Sequence, residues 1–296
     1  MLRRLLTGLT AMPALLRRMR TNGDLWRAYL GLTLKRSVVV LILASPFIAL
    51  RVEDLRDGDD DDDEEERVTG VVGTTWNWAV SLAGPLIAAQ WLVVAFTREF
   101  DDRISDTLAR TAGVTPEEAE PPKSPPQLRL EWKWLRKRMR RRLQVFLAAL
   151  PGFILISFFF GLFPEDFMLR AITSAVGALW TFYWLVVGTV SKSASGWTTE
   201  GAAPPLLFIR GIAKVPFIGW LAKMWTRMAK AMFPPAEMVE RHPLELAGLT
   251  LLRLTGVVPF VALVWRPIVP VAVSSIVQPV LSSHAESTRA TSSQDS

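Results

Sequence analysis

The densest group of ionisable side chains in this sequence is a basic run that ends where a long hydrophobic segment begins. Its cations alternate with apolar residues such as Trp132, Trp134 and Leu135. The seven cations are Lys133, Arg136, Lys137, Arg138, Arg140, Arg141 and Arg142. Near a membrane surface, each charge of this kind can contribute about 1 kcal/mol of attraction to anionic lipid.

Three interpretations of the basic run differ in what the charges contact. A topology signal beside a membrane span needs only the charge, and the position of the run favours this interpretation. The second interpretation is a binding surface for anionic phospholipid head groups. The third is a nucleic-acid surface, but no recognised binding module accompanies the charges, so the sequence predicts no specific nucleic acid as a partner.

A second group of cations, Lys223, Arg227 and Lys230, falls on one face of a helix predicted over residues 216–233. The opposite face is apolar and carries Trp225. That face is too narrow for a membrane-crossing helix and too long to remain in water. We therefore predict an amphipathic helix that lies on the membrane surface or against the helix bundle, ended by the two prolines that follow it.

Three polar residues stand inside hydrophobic runs. A charge within a membrane span suggests a functional site, so Arg253 is a candidate to pair with a substrate anion or with Glu245. Its distance from the predicted boundary also allows its side chain to extend to the surface. Asn77 and Gln90 are the other two, and we predict that they form hydrogen bonds between helices.

Several kinds of chemistry are excluded by residue type. The chain has no cysteine and only two histidines, His242 and His284, so thiol chemistry and histidine-rich metal sites are excluded. The acidic run Asp59–Glu66 lacks the spacing of a calcium-binding loop and is predicted to be a solvated loop, with loose divalent-cation binding as the alternative. With no phosphate-binding glycine loop or nucleophile motif, the sequence predicts no enzyme and no cofactor.

The elements that must position these residues are hydrophobic runs of membrane-spanning length. Half of the residues are hydrophobic, the mean hydropathy is +0.26, and the charges fall in blocks between the runs. This segregation predicts an all-α, polytopic integral membrane protein. We predict four spans, which fall within residues 31–50, 68–97, 143–164 and 171–191.

The N-terminal segment 1–36 has a basic amphipathic pattern with no acidic residue before Asp24. It fits an interfacial helix, a mitochondrial presequence or a solvent-exposed helix. The first span pair occupies 37–97 with the acidic loop 51–67 between its members, and Lys35 and Arg36 are predicted to extend to the membrane boundary.

The remaining segments alternate between polar and apolar. Residues 98–142 are predicted to form a cytoplasmic proline-rich linker and a basic helix, and 143–191 a transmembrane hairpin, since only six residues, 165–170, separate its spans. Residues 192–245 form a second cytoplasmic segment. Region 246–281 is predicted to hold a C-terminal span, Leu246–Trp265, and a short returning or re-entrant helix, followed by a disordered tail, 282–296. In the second run, Gly84 and Ala88 are a predicted helix-packing pair.

The distribution of basic residues predicts the orientation. Segments 1–36, 98–142 and 192–245 hold eight, twelve and seven Lys and Arg, whereas 51–67 and 165–170 hold three and one. Because cytoplasmic loops are enriched in Lys and Arg, we predict that the N-terminus is inside, most consistently in a bacterial cytoplasmic (inner) membrane.

Three functional hypotheses follow from this organisation, and a membrane-embedded enzyme is the least favoured because no group of residues stands out as catalytic. The first is a non-catalytic multi-pass membrane protein whose basic cytoplasmic surfaces bind anionic lipid or another membrane protein. The second is a component of a small-solute transporter or channel, favoured by the prolines within the predicted helices (Pro46, Pro85, Pro151 and Pro259). The second is disfavoured by the small number of ionisable groups inside the spans and by the absence of a repeated span pattern.

Overall fold

A computed structural model of the chain describes residues 1–57, 83–114, 126–130, 132–162, 167–191, 227 and 232–277. Within those residues every regular element is helical. The α-helices are α1 (Leu2–Thr21), α2 (Gly23–Asp57), α3 (Ala83–Phe96), α4 (Arg98–Ala112), α5 (Trp132–Leu162), α6 (Phe167–Val190), α7 (Phe233–Arg241), α8 (Pro243–Leu254), α9 (Val261–Trp265) and α10 (Ile268–Val277), with a 3₁₀ turn at Thr255–Val257.

Three of these helices are long and apolar enough to cross a membrane. The qualifying stretches are Gly23–Leu50 in α2, Leu135–Phe158 in α5 and Phe167–Val190 in α6. The shorter two have 24 residues each, or about 36 Å of helix, which exceeds the roughly 30 Å of a hydrocarbon core. The all-helical fold class is therefore confirmed together with three spanning helices, and the larger predicted number of spans stays a prediction.

The surfaces of these three helices are apolar where they face outward. Leu41, Ile42 and Phe47 in α2, Ile154 in α5 and Leu179 in α6 are each at least half exposed. Apolar patches extended along whole helices are rare on proteins that face only water. The exposed faces are compatible with an integral membrane protein whose helices contact lipid.

Helix α2 begins earlier than the sequence suggests. The boundary predicted at residue 36 is not a break, because α2 runs from Gly23 to Asp57 without interruption. Asn22 separates α1 from α2: its backbone is extended and its Oδ1 accepts a hydrogen bond from the Leu25 N–H at 3.2 Å, the contact of a helix N-cap. Lys35 is exposed, but the predicted surface position of Arg36 is wrong, since its side chain is only 2% exposed.

Helix α1 packs along α8 through a stripe of residues spaced at helical intervals. The buried members are Gly8, Met12, Leu15 and Met19. The apolar side of α1 thus has a protein partner, whereas Leu2 at its start remains exposed. A location at the membrane interface stays a prediction for the outer face.

Two glycines make this crossing close. A Cβ on Gly8 would overlap the backbone oxygen of Glu245 in α8, and a Cβ on Gly248 would overlap the backbone of Leu5 in α1. Each helix therefore presents a glycine to the backbone of the other. Small residues that let backbones approach in this way are typical of helix pairs in membranes.

The indole side chain of Trp180 in α6 connects this helix to α5 within the hairpin. The Nε1–H of Trp180 donates to the carbonyl oxygen of Ala149 at 2.9 Å, and the ring covers Gly152, where any Cβ would overlap it. Helix α5 continues without interruption from the basic run into residues 143–162 of the third predicted span, and Pro151 lies inside it.

Helix α3 packs differently from the prediction. Gly84 and Ala88 are exposed, and among the described residues no atom of another element lies within 4 Å of a Cβ placed on Gly84. The contact face instead carries Ala89 and Val93, which lie in a buried cluster with Val40 of α2. The predicted packing pair is therefore wrong. The helix face that packs against α2 is the one next to Gly84 and Ala88, and it carries larger apolar side chains.

Part of the predicted linker 98–142 is a packed helix. The sequence favours a short helix over Ser105–Ala112 that ends at Gly113, and α4 does end there, with Gly113 in the left-handed region at φ 73°. It begins at Arg98, however, and buries Ile104 and Leu108 in the main core with α1 and α2. The proline-rich residues 115–125 lie outside the described residues.

The predicted C-terminal span Leu246–Trp265 is interrupted. Helix α8 ends at Leu254, and α9 starts only after the 3₁₀ turn and Pro259. Phe260 takes a left-handed backbone conformation (φ 70°), and its N–H donates to Gln90 Oε1 at 3.0 Å. Pro270 does not break the last apolar segment, because it lies in the first turn of α10, where a proline removes no helical hydrogen bond.

The α1–α8 crossing yields a stability prediction. Replacing Gly8 or Gly248 by Ala forces the two backbones apart, so we expect either variant to lose about 1–3 kcal/mol of stability. Thermal unfolding of the purified protein in detergent measures the loss. Gly31→Ala is the matched control, because a Cβ at Gly31 meets nothing within 4 Å and alanine favours the helix. Equal unfolding temperatures for Gly8→Ala and Gly31→Ala would contradict the close crossing.

Candidate functional site: a charged cluster at the helix crossings

A buried carboxylate binds two arginines from distant parts of the chain. Asp101 Oδ1 lies 2.5 Å from Arg36 Nη1, and its Oδ2 lies 2.6 Å from Arg266 Nε. The side chains of Arg36 and Asp101 are 2% and 4% exposed, and that of Arg266 is 19% exposed. Arg36 Nη2 also donates to the carbonyl oxygen of Thr97 at 2.7 Å. The Arg36–Asp101–Arg266 group thus links α2, the start of α4 and the α9–α10 turn.

Neutral hydrogen bonds hold the same elements in register. The hydroxyl of Tyr29 in α2 donates to the carbonyl oxygen of Val264 at 3.0 Å. The hydroxyl of Ser105 in α4 donates to the carbonyl oxygen of Pro267 at 2.7 Å. Both bonds end within two residues of Arg266, so the turn that carries this arginine is fixed from two sides.

Removing this carboxylate would leave uncompensated charge in a desolvated place. A buried ion pair adds little net stability compared with an apolar pair, because desolvation offsets the attraction. Loss of a single partner is different, since the remaining charge has neither water nor counter-charge. Asp101 compensates two cations, so it is the member on which the arrangement depends most.

The basic run of α5 divides into an outward and an inward part. Lys133, Arg136, Lys137, Arg140 and Arg142 are exposed, whereas Arg138 and Arg141 are half-buried. Arg141 Nη1 lies 3.4 Å from the carbonyl oxygen of Ser191, at the end of α6.

Two of these arginines share one aromatic ring. The Cζ atoms of Arg138 and Arg142, one helical turn apart, each lie 5.6 Å from the ring centroid of Trp91 in α3. Cation–π contacts of this length stabilise by roughly 0.5–2 kcal/mol. The sequence predicted the seven cations as one binding group, and it carried no sign that Trp91 would lie beside the run.

Arg253 has a neutral partner. Its Nη1 donates to the hydroxyl of Thr189 in α6 at 2.6 Å. The predicted partner Glu245 faces Arg4 of α1 instead, at 3.7 Å, so the proposed Arg253–Glu245 pair is wrong. The two residues are eight apart in one helix and therefore more than two turns from each other.

The other sequence-predicted residues are distributed as follows. Gln90 accepts a hydrogen bond from the Phe260 N–H at the interruption between α8 and α9. Arg227 is exposed. Asn77, Lys223, Lys230 and the acidic run Asp59–Glu66 lie outside the described residues. So does most of the predicted helix 216–233, and the prolines expected to end it, Pro234 and Pro235, lie in the first turn of α7.

The carboxylate of Glu99, in the first turn of α4, binds the segment that leads towards α5. Glu99 accepts hydrogen bonds from the Gln127 N–H and from Arg129 Nε, both at 2.8 Å. The Gln127 bond, and then Arg129, hold the pKa of Glu99 below its usual range. This contact is therefore present above the ordinary pKa of a glutamate and is lost as the pH falls through the lowered value.

The described residues contain no group of three or more His, Asp or Glu side chains that could hold a metal ion. A cavity of about 520 Å³ lies between the start of α2 and α4, lined by Leu25, Phe100 and Ile104 among others, and Arg253 does not reach it. The chemistry that the site does offer is electrostatic: several guanidinium groups close together, able to bind anions.

Sequence reasoning missed Asp101 and Arg266. Arg36 and Asp101 both lie near span boundaries on the predicted cytoplasmic side, whereas the predicted span Leu246–Trp265 would place Arg266 on the opposite side. The shared predicted depth of Arg36 and Asp101 was the available signal for that pair, and the sequence contains none for Arg266. It did not identify which charges meet, because pairing depends on how helices distant in sequence pack.

Comparison with known proteins adds no relationship to this geometry. No protein-family model, curated protein or solved structure matches the chain.

The role of Asp101 yields a second stability prediction. Asp101→Asn keeps the shape of the side chain but leaves Arg36 and Arg266 without their carboxylate, so we expect a loss of about 3–5 kcal/mol. Detergent unfolding and the yield of folded protein measure it. Asp102→Asn is the matched control, since that neighbouring side chain is 57% exposed and pairs at the surface with Arg98. A control variant as unstable as Asp101→Asn would contradict the assigned role.

Proposed function

We propose that this chain is a non-catalytic, multi-pass protein of a bacterial cytoplasmic membrane, with its N-terminus inside, that binds anionic phospholipid head groups. The binding surface is the exposed basic face of α5, defined by Lys133, Arg136, Lys137 and Arg140. Another membrane protein with an acidic face would use the same charges.

The observation that carries this proposal is the continuity of α5. The helix has 31 residues and is therefore about 46 Å long, which exceeds the hydrocarbon core by about 16 Å. Exposed Arg140 is followed within one turn by exposed Leu143, and Phe146 continues the apolar surface. Because no break in α5 separates the basic surface from the apolar surface, insertion of the apolar part holds the basic part at the depth of the head groups.

Contacts between helix ends support the proposed orientation. Residues 36, 97, 142 and 191 end the four predicted spans on the basic side. Arg36 hydrogen-bonds to Thr97, and Arg141 approaches Ser191. Two span pairs whose basic ends meet in this way agree with the alternation of basic and acidic segments along the chain.

A component of a small-solute transporter or channel is the second candidate. The interruption of α8 and α9 at Thr255–Phe260 favours it, because broken helices line the solute sites of many transporters. Solute flux through reconstituted vesicles that is lost in a Gln90→Ala variant, which removes the bond to Phe260, would favour this candidate over lipid binding alone.

The orientation is tested with single cysteines, since the chain has none of its own. We expect a cysteine at Gly58 or Glu165 to react with an impermeant thiol reagent applied to intact cells. A cysteine at Ser124 should react only after the membrane is permeabilised. Labelling of Ser124 from outside, with protection of Gly58, would reverse the proposed topology.

Lipid binding is tested by removing charge from the exposed face. We expect Lys137→Gln with Arg140→Gln to weaken the preference for anionic over zwitterionic lipid by about 2 kcal/mol at low salt, and by less at physiological salt, where the Debye length is about 8 Å. Spin-labelled phosphatidylglycerol and phosphatidylcholine, incorporated in turn with the full-length protein, measure this preference as the motionally restricted fraction.

The matched control lies at the other end of the hairpin. Arg170 is exposed at the start of α6, on the predicted outer side, where few basic residues are found. Arg170→Gln removes a charge that lies outside the basic face of α5 and should leave the lipid preference almost unchanged. If neither variant nor added salt changes the preference for anionic lipid, the basic run acts as a topology signal only.

A further inference from the structure

Two arginines of α5 lie against one aromatic ring of α3. The Cζ atoms of Arg138 and Arg142 are each 5.6 Å from the ring centroid of Trp91. Because both distances end at the same ring, and residues four apart are neighbours on one helix face, the two guanidinium groups lie side by side. The ring thus holds two positive charges together where the basic run meets the apolar part of α5.

The polar groups that meet at this ring are hydrogen-bond donors. Guanidinium and indole groups carry N–H bonds and have no acceptor atom. The Nε1 atom of Trp91 is buried and has no hydrogen-bond partner among the described residues. Within the same part of the chain, Arg142 is exposed and forms no ion pair with Asp or Glu. The group therefore offers positive charge and donors, and the complement that it lacks is an anionic acceptor.

Exposed apolar side chains continue the surface on both helices. Phe146 is exposed one helical turn beyond Arg142 on α5, and Ile87 is exposed one turn before Trp91 on α3. Residues four apart share a helix face, so each apolar side chain adjoins the arginines or the ring. A ligand with an anionic group next to a hydrocarbon chain matches both parts of this surface, whereas an inorganic anion matches only the first.

From this juxtaposition we propose that Arg138, Arg142 and Trp91 form a site for the phosphate of one anionic phospholipid. The acyl chain of this lipid lies along Phe146 and Ile87. Guanidinium groups bind phosphate oxygens through paired, charge-assisted hydrogen bonds, and contact with the ring restricts their orientations before the lipid arrives. Phosphatidylglycerol fits because its head group carries only the phosphate charge, whereas the ammonium group of a choline lipid is repelled by the arginines.

This proposal rests on the proposed function and makes it more specific. The exposed basic face of α5 attracts anionic lipid through the number of its charges, whereas this site binds one lipid through particular side chains. Lys137 belongs to the basic face and is exposed, and no described contact joins it to Trp91. Loss of the site and loss of the basic face are therefore measured with different variants.

The experiment measures lipid binding to the full-length, delipidated protein in neutral detergent. Native mass spectrometry resolves the binding of successive phosphatidylglycerol molecules. We expect the first to bind more tightly than those that follow, and Arg142→Gln to weaken this step about ten- to a hundredfold. Arg142→Lys keeps the charge and should recover part of the loss. Trp91→Leu removes the ring and should weaken the same step about three- to thirtyfold, whereas Lys137→Gln should change it by less than about twofold.

A competition experiment separates a lipid from a free anion. Inorganic phosphate, added at constant ionic strength, should not displace the first phosphatidylglycerol, because it makes no contact with the apolar surface. Phe146→Ser should weaken the lipid step without changing the charge of the site. Displacement of the lipid by inorganic phosphate would overturn a phospholipid as the occupant.

Circular dichroism establishes that each variant retains its helices, and the exposed position of Arg142 favours a folded variant. Equal affinity for the first phosphatidylglycerol in the native protein and in folded Arg142→Gln and Trp91→Leu variants would overturn the site. The proposed function survives that result if Lys137→Gln with Arg140→Gln still weakens the preference for anionic lipid. Loss of both effects overturns both proposals.

Discussion

A hydrocarbon layer offers no solvation to charge, and the positions of the arginines follow from that constraint. Each arginine near an apolar helix must reach the surface, meet a counter-charge or lie on a polar or aromatic neighbour. Arg36 meets Asp101, Arg142 reaches the surface beside Trp91, and Arg253 lies on Thr189. The helices between these groups are apolar on their outer faces, so the charged contacts gather at one end of the bundle.

Packing between distant segments is what makes that gathering possible. The glycine crossing of α1 and α8 brings the C-terminal helices against the N-terminal one. Helix α10 has no exposed residue and lies inside the main core, and α9 contributes Leu263 to the smaller cluster with α2 and α3. With the C-terminal region so placed, the turn that carries Arg266 reaches Asp101 in α4.

The sequence predicted the features that depend on local composition. Runs of apolar residues identified the helices that contain Leu135–Phe158 and Phe167–Val190, and Gly113 marked the end of α4. It did not predict features that depend on relative position in space. Arg36 and Lys35 are adjacent basic residues that the sequence alone does not distinguish. Arg36 is buried and Lys35 is exposed because α4 packs against the side of α2 that carries Arg36. The break at Phe260 likewise depends on Gln90, which lies 170 residues earlier in the chain.

The Arg36–Asp101–Arg266 group has a consequence for biogenesis. Synthesis proceeds from the N-terminus, so Arg36 leaves the ribosome 65 residues before its carboxylate and long before Arg266. While α2 is alone, Arg36 has no counter-charge, so its side chain must stay in contact with water. Arrival of Asp101 supplies that counter-charge and permits burial of Arg36, and Arg266 later adds a second cation to the same carboxylate. The complete group therefore assembles only when the turn that carries Arg266 packs against α4, after nearly the whole chain has been synthesised.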